Sequence, residues 1–124
     1  MARILLAEDE ETLRMMLVRA FAGDHEVTAA SDGAEALDRL NEANGEFDLL
    51  LTDIRMPLMD GIALALAAAR DYPKLTILMM TGFADQRERA HGLEALIHDV
   101  VTKPFSLAQI RGAVDGALAA RQAA

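Results

Sequence analysis

Short apolar runs alternate along the chain with longer segments in which apolar residues recur every three or four positions. That alternation is the signature of βα units around a buried parallel sheet rather than of hairpins. It predicts strands over Arg3 to Ala7, Glu26 to Ala30, Asp48 to Thr52, Thr76 to Met80 and Asp99 to Thr102. The runs Leu49-Leu50-Leu51 and Ile77-Leu78-Met79-Met80 lack polar alternation, which suits strands covered on both faces.

Between the strands the pattern predicts five helices. The first, about Glu10 to Ala22, places Leu13, Met16, Leu17, Ala20 and Phe21 on one stripe and stops at Gly23. The second follows Asp32, which has Glu35 at capping-box spacing, and turns Ala36, Leu37 and Leu40 inward before a loop from Asn41 to Glu46. The third follows Asp60-Gly61, repeats Ile62, Ala65, Leu66 and Ala69, and stops before Pro73. The fourth, near Asp85 to Leu93, is weakly patterned; the fifth starts at the cap Ser106 and carries Leu107, Ile110, Val114, Ala117 and Leu118. The expected fold is a single doubly wound α/β domain over 1–124, with its core over about 3–119.

Composition narrows the function. Twenty acidic against twelve basic residues give a formal charge of −8, which opposes approach to nucleic acid or an anionic membrane. No cysteine is present, so disulfides and thiolate metal sites are excluded, and a reducing compartment such as the cytoplasm is the default expectation. No apolar run approaches the ~20 residues that span a bilayer. Met15, Met16, Met56, Met59, Met79 and Met80 read as packing, and His25, His91 and His98 have no metal-ligand spacing.

In an open parallel sheet, ligands bind beyond the carboxyl ends of the strands. Glu8-Asp9-Glu10 follows the first strand, Asp53 closes the third, Thr81 closes the fourth and Lys103 follows the fifth. Taken alone, the acidic triplet also reads as a solvated helix N-terminus. Brought together, Glu8, Asp9 and Asp53 repel one another unless a divalent cation or a proton neutralises them, and an all-oxygen set without histidine favours Mg2+. A carboxylate so placed can attack phosphorus, while a threonine hydroxyl and a lysine meet the phosphoryl oxygens.

Four segments, Leu6-Ala7-Glu8-Asp9-Glu10, Leu51-Thr52-Asp53-Ile54-Arg55-Met56-Pro57-Leu58-Met59-Asp60-Gly61, Met80-Thr81-Gly82-Phe83 and Thr102-Lys103-Pro104-Phe105, resemble the response-regulator receiver domains of two-component signalling, the CheY-like family. The resemblance implies a five-stranded sheet in order 2-1-3-4-5 flanked by five helices. It implies Asp53 as phosphoacceptor, Thr81 and Lys103 as its partners, and a cis bond before Pro104. It further implies Mg2+ held by Asp9 and Asp53, by Glu8 through water and by the Arg55 backbone carbonyl. The implied donor is a histidine kinase or histidine phosphotransfer protein docking near the first helix, around Arg14, Met15 and Val18. A narrower likeness, to the CpdR type of single-domain regulator, implies a downstream protein target such as a protease complex, with no direct contact to nucleic acid or membrane. The chain is then a monomer or a phosphorylation-linked dimer.

One position departs from the family. Many receivers carry a Tyr or Phe three residues before the motif lysine; here Val100, stiff at its first torsion, cannot act as a rotating ring. Three other readings compete. A magnesium-dependent phosphohydrolase of Asp-x-Asp type needs a general acid where Arg55 stands. A flavodoxin-like carrier needs a phosphate-cradling first loop, which Glu8-Asp9-Glu10 would oppose. A pseudo-receiver that only binds proteins would need a broken site, whereas Asp9, Asp53, Thr81 and Lys103 are all present.

Overall fold

The computed structural model describes residues 1–82, 88 and 90–123. Strands β1 (Arg3–Ala7), β2 (Glu26–Ala30), β3 (Leu49–Asp53), β4 (Thr76–Thr81) and β5 (Asp99–Thr102) pair in parallel in the order β2-β1-β3-β4-β5. Helices α1 (Glu11–Ala22), α2 (Gly33–Glu42), α3 (Gly61–Asp71) and α4 (Leu107–Ala123) cover the sheet, with a 3-10 turn at His91–Leu93. The predicted architecture and strand order are borne out. Of the predicted helix near Asp85 to Leu93, residues 85–87 and 89 lie outside the described residues, and its end, His91–Leu93, is the 3-10 turn.

Because successive strand residues point to opposite faces, each central strand feeds two cores. Leu5, Leu50, Ile77 and Met79 pack with Ala36, Leu40, Leu64 and Ala68 of α2 and α3. On the other face Ile4, Leu6, Leu51 and Leu78 pack with Leu17 and Phe21 of α1 and Ile110 and Val114 of α4. Reversal of strand order after β2 separates these helix pairs and leaves the carboxyl ends of β1, β3, β4 and β5 along one edge.

Side-chain caps set where three helices begin. Asp32 Oδ1 accepts from Glu35 N–H at 2.8 Å and Asp60 Oδ1 from Ala63 N–H at 2.9 Å. At α4 the box is reciprocal: Ser106 Oγ accepts from Gln109 N–H at 3.1 Å, and Gln109 Oε1 from Ser106 N–H at 2.7 Å.

Several expected positions shift. Asp48 lies before β3, its carboxylate accepting from Arg3 N–H at 2.8 Å, while Asp53 joins the strand opposite Met80. α2 continues through Glu42, so the reversal is confined to a turn in which Asn44 and Gly45 have φ of 54° and 73°. Met16, placed on the buried stripe of α1, is 37% exposed, and Leu107, placed on that of α4, is 44% exposed. Leu66, placed inward on α3, is 47% exposed, while Leu64 and Ala68 are buried instead. A helix apolar on nearly every side has no polar face to fix its rotation, and the fit of its small residues against α2 and the sheet decides it.

The segment between β3 and α3 is clipped at two points. Gly61 N–H donates to Ile54 O at 2.7 Å, and Gly33 N–H donates to Met59 O at 3.1 Å. Between the clips, Met59 N–H donates to Pro57 O at 2.7 Å around Leu58, whose φ is 66° and which is 87% exposed. An i to i+2 bond around a positive φ belongs to the strained form of γ-turn. Leu58→Gly is therefore expected to raise unfolding free energy by about 1 kcal/mol. A urea midpoint at or below the parent value would contradict this.

Candidate functional site

The parallel register sets Ala7 beside Thr52, Asp53 beside Met80 and Thr81 beside Thr102, so the residues at these ends meet. Asp53 is nearly buried: Oδ1 accepts from Ile54 N–H at 2.8 Å, and Oδ2 accepts from Lys103 Nζ at 2.8 Å. Glu8 is fully buried: Oε1 accepts from the same Lys103 Nζ at 2.9 Å, and Oε2 accepts from Glu10 N–H at 2.9 Å. Asp9 is exposed at the rim, and one oxygen from each of Glu8, Asp9 and Asp53 lies within 4.8 Å of the others. Among the described residues this is the one cluster of three acidic or histidine side chains suited to a metal ion.

Thr81 is buried at the end of β4, and its carbonyl accepts from Lys103 N–H at 2.7 Å. The Lys103–Pro104 bond is cis, as the resemblance implied. Arg55 is exposed and lines, with Glu8, Asp9, Asp53, Met56 and Lys103, an open cavity of about 470 Å³. Phe83, part of the Thr81 segment, lies outside the described residues. Val100 is half-buried on β5 opposite Met79, with no ring to turn.

An apolar groove of about 440 Å³ runs beside the cavity between Leu13, Met16, Pro104 and Phe105. Of the residues expected on the exposed face of α1, Met15 is exposed while Arg14 and Val18 are half-buried. The Arg14 guanidinium turns toward the acidic loop, Nη1 donating to Glu8 O at 3.0 Å.

In the sequence Gly61 stands out only as part of a motif. A Cβ there would stand 2.0 Å from Asp53 O, so the glycine lets α3 begin against the Asp53 peptide itself. The single signal for it in the sequence is the Asp60-Gly61 pair.

Burial raises the pKa of Glu8 from 4.5 to about 7, against the lowering effect of the Glu10 N–H and Lys103, and with the Asp53 charge adding to the rise. Burial disfavours the charged form of Lys103, but its hydrogen bonds to Asp53 and Glu8 outweigh this and hold its pKa above the ordinary value. In metal-free solution the folded protein keeps a proton on Glu8 that the unfolded chain releases between pH 4.5 and about 7. The Glu8 contribution to stability therefore falls as pH rises through that window, by on the order of 3 kcal/mol in all. Urea unfolding of the parent and of Glu8→Gln from pH 4.5 to 8 checks this. The parent should lose stability relative to the variant as pH rises, and parallel curves would refute it.

The buried parallel sheet and the acidic trio at its carboxyl edge define a doubly wound α/β domain with an acidic pocket suited to a metal ion. Residues 4–115 match the response regulator receiver domain, and the chain belongs to that family. Along 122 residues it is 43% identical to the response regulator receiver protein CpdR of Brucella abortus (strain 2308), a match covering 97% of this chain and 99% of that protein. It is 34% identical over 110 residues to the sensor kinase CckA of the same organism, covering 88% of this chain and 12% of the kinase. The response regulator protein TrrA of Thermotoga maritima, solved in complex with Mg(2+)-BeF, superposes with a TM-score of 0.82 at 25% identity, covering 94% of this chain and 99% of that one. Receiver domains are phosphoacceptor switches of two-component phosphorelays, charged by histidine kinases, and they bind Mg2+ at an acidic pocket. None of the described helices is long and apolar enough to cross a membrane.

Proposed function

We propose that the chain is a receiver that accepts a phosphoryl group on Asp53 from a phosphohistidine donor and signals through altered contacts with another protein. The observation that carries this reading is the meeting of Asp53 with Glu8, Asp9 and Lys103 at one edge of the sheet. An Asp53 carboxylate oxygen attacks phosphorus as the phosphorus–nitrogen bond to the donor imidazole breaks, leaving the imidazole to take up a proton. Thr81 donates its hydroxyl to one phosphoryl oxygen, and Lys103 leaves its bridging position to meet another.

The all-oxygen donor set fits a hard divalent cation. Glu8, Asp9 and Asp53 would hold Mg2+, Glu8 through water, and the Arg55 backbone carbonyl would complete the protein's share of the ligands. When bound, Mg2+ offsets the charge on the transferred oxygens. That TrrA, at 25% identity, was solved in complex with Mg(2+)-BeF supports Mg2+ as the ion.

The apolar groove beside α1 offers the donor protein a docking face continuous with the cavity. The near end-to-end match to the receiver protein CpdR supports a regulator of that kind, and its output in this reading is contact with a downstream protein, such as a protease complex. The cysteine-free sequence fits action in the cytoplasm.

Intact mass spectrometry after incubation with a small phosphodonor tests the reading. One phosphoryl group should add to the parent with Mg2+, none without it, and none to Asp53→Asn. Equal labelling of the parent and Asp53→Asn would move the acceptor elsewhere. No labelling even by a phosphorylated histidine kinase would leave a binding module.

A further inference from the structure

We infer that Arg14 is a positioning residue for the divalent cation, holding the loop that carries Asp9. This rests on the receiver reading of the site.

Asp9 differs from the other two acids in what holds it. Glu8 is fixed by Glu10 N–H and Lys103, and Asp53 by Ile54 N–H and Lys103. The Asp9 carboxylate is exposed and has no hydrogen-bond or ion-pair partner among the described residues. Its position depends on the two peptides that flank its α-carbon. Arg14 Nη1 donates to both of their carbonyls, to Glu8 O at 3.0 Å and, more weakly, to Asp9 O at 3.4 Å.

Helix geometry makes the reach natural. Side chains on a helix lean toward its N-terminus, so a long residue in the first turn of α1 lies over the segment that precedes the helix. The placement runs against the helix dipole, which disfavours a cation at this end. The N-cap Glu10 contributes no side-chain cap, so Arg14 ties loop to helix where a cap otherwise would. A half-buried arginine in that unfavourable place, bonded to the two carbonyls around Asp9, matches the role of an outer partner that orients a metal ligand.

Thermal melting of the full chain against Mg2+ concentration, run on the parent, Arg14→Ala and Arg14→Lys, tests this. Arg14→Ala should melt near the parent without metal, yet need about tenfold more Mg2+ for half of the metal-induced rise. Arg14→Lys, which can still donate one bond, should fall between them. Phosphoryl acceptance from acetyl phosphate should show the same split: a higher half-saturating Mg2+ with an unchanged rate at saturation. An unchanged or tightened Mg2+ response in Arg14→Ala overturns the inference. If Arg14→Ala fails to fold, Arg14→Lys decides, and a half-saturation at the parent value overturns it. A parent that melts alike at every Mg2+ concentration would instead overturn the metal site of the proposed function.

Discussion

Replacing Lys103 with Met should lower the melting temperature of the metal-free protein at pH 7 by on the order of 10 °C. Lys103 Nζ is the shared partner of Glu8 Oε1 at 2.9 Å and Asp53 Oδ2 at 2.8 Å. Methionine keeps most of the stem's volume but leaves two buried carboxyls facing each other beside Asp9. Removing one member of a buried ionic cluster typically costs about 3 to 5 kcal/mol. The lower end applies here, because Glu8 can take up a proton and the Lys103 side chain is 22% exposed. The difference from the parent should shrink at pH 5, where Glu8 is protonated in both proteins, and should shrink again when Mg2+ is added. Equal melting temperatures at pH 7 without metal would mean that the bridge contributes nothing to stability.

Gly61→Ala should damage both the fold and the chemistry. The added Cβ would stand 2.0 Å from Asp53 O, 2.9 Å from its carbonyl carbon and 2.9 Å from Ile54 Cα. All three are backbone atoms, so no side chain can rotate away, and either α3 or the Asp53 peptide must move. The overpacking should cost about 3 kcal/mol in urea unfolding. A displacement approaching an ångström at the acceptor should slow phosphoryl acceptance about 100-fold at saturating Mg2+. A variant that folds and accepts at the parent rate would show that α3 can retreat without disturbing Asp53.

These two positions differ in how far the sequence announces them. Lys103 is visible as a polar residue after a strand, but its simultaneous contact with Glu8 and Asp53 depends on three side chains meeting across the sheet. The strands were the most legible elements: β1, β2 and β5 begin and end where the pattern places them. The apolar pattern ends β3 and β4 one residue early because Asp53 and Thr81 are polar, although both are buried in the ladder. Helix faces were less legible, and most so on α3, where alanine and leucine surround the axis and Leu66 could be exchanged for Leu64. The receiver resemblance puts Arg14 on an exposed docking face, whereas its guanidinium turns back to Glu8 O, a contact that no periodicity of α1 signals.

The tight turn at Asn44 and Gly45 divides the chemistry as well as the chain. A chain cut there leaves Glu8, Asp9, β1 and β2 in one fragment and Asp53, Thr81 and Lys103 in the other, with the β1–β3 ladder as the seam between them. Neither fragment holds the acidic trio. On the proposed function, metal binding and phosphoryl uptake should be absent from either half alone and return only when β1 and β3 zip together.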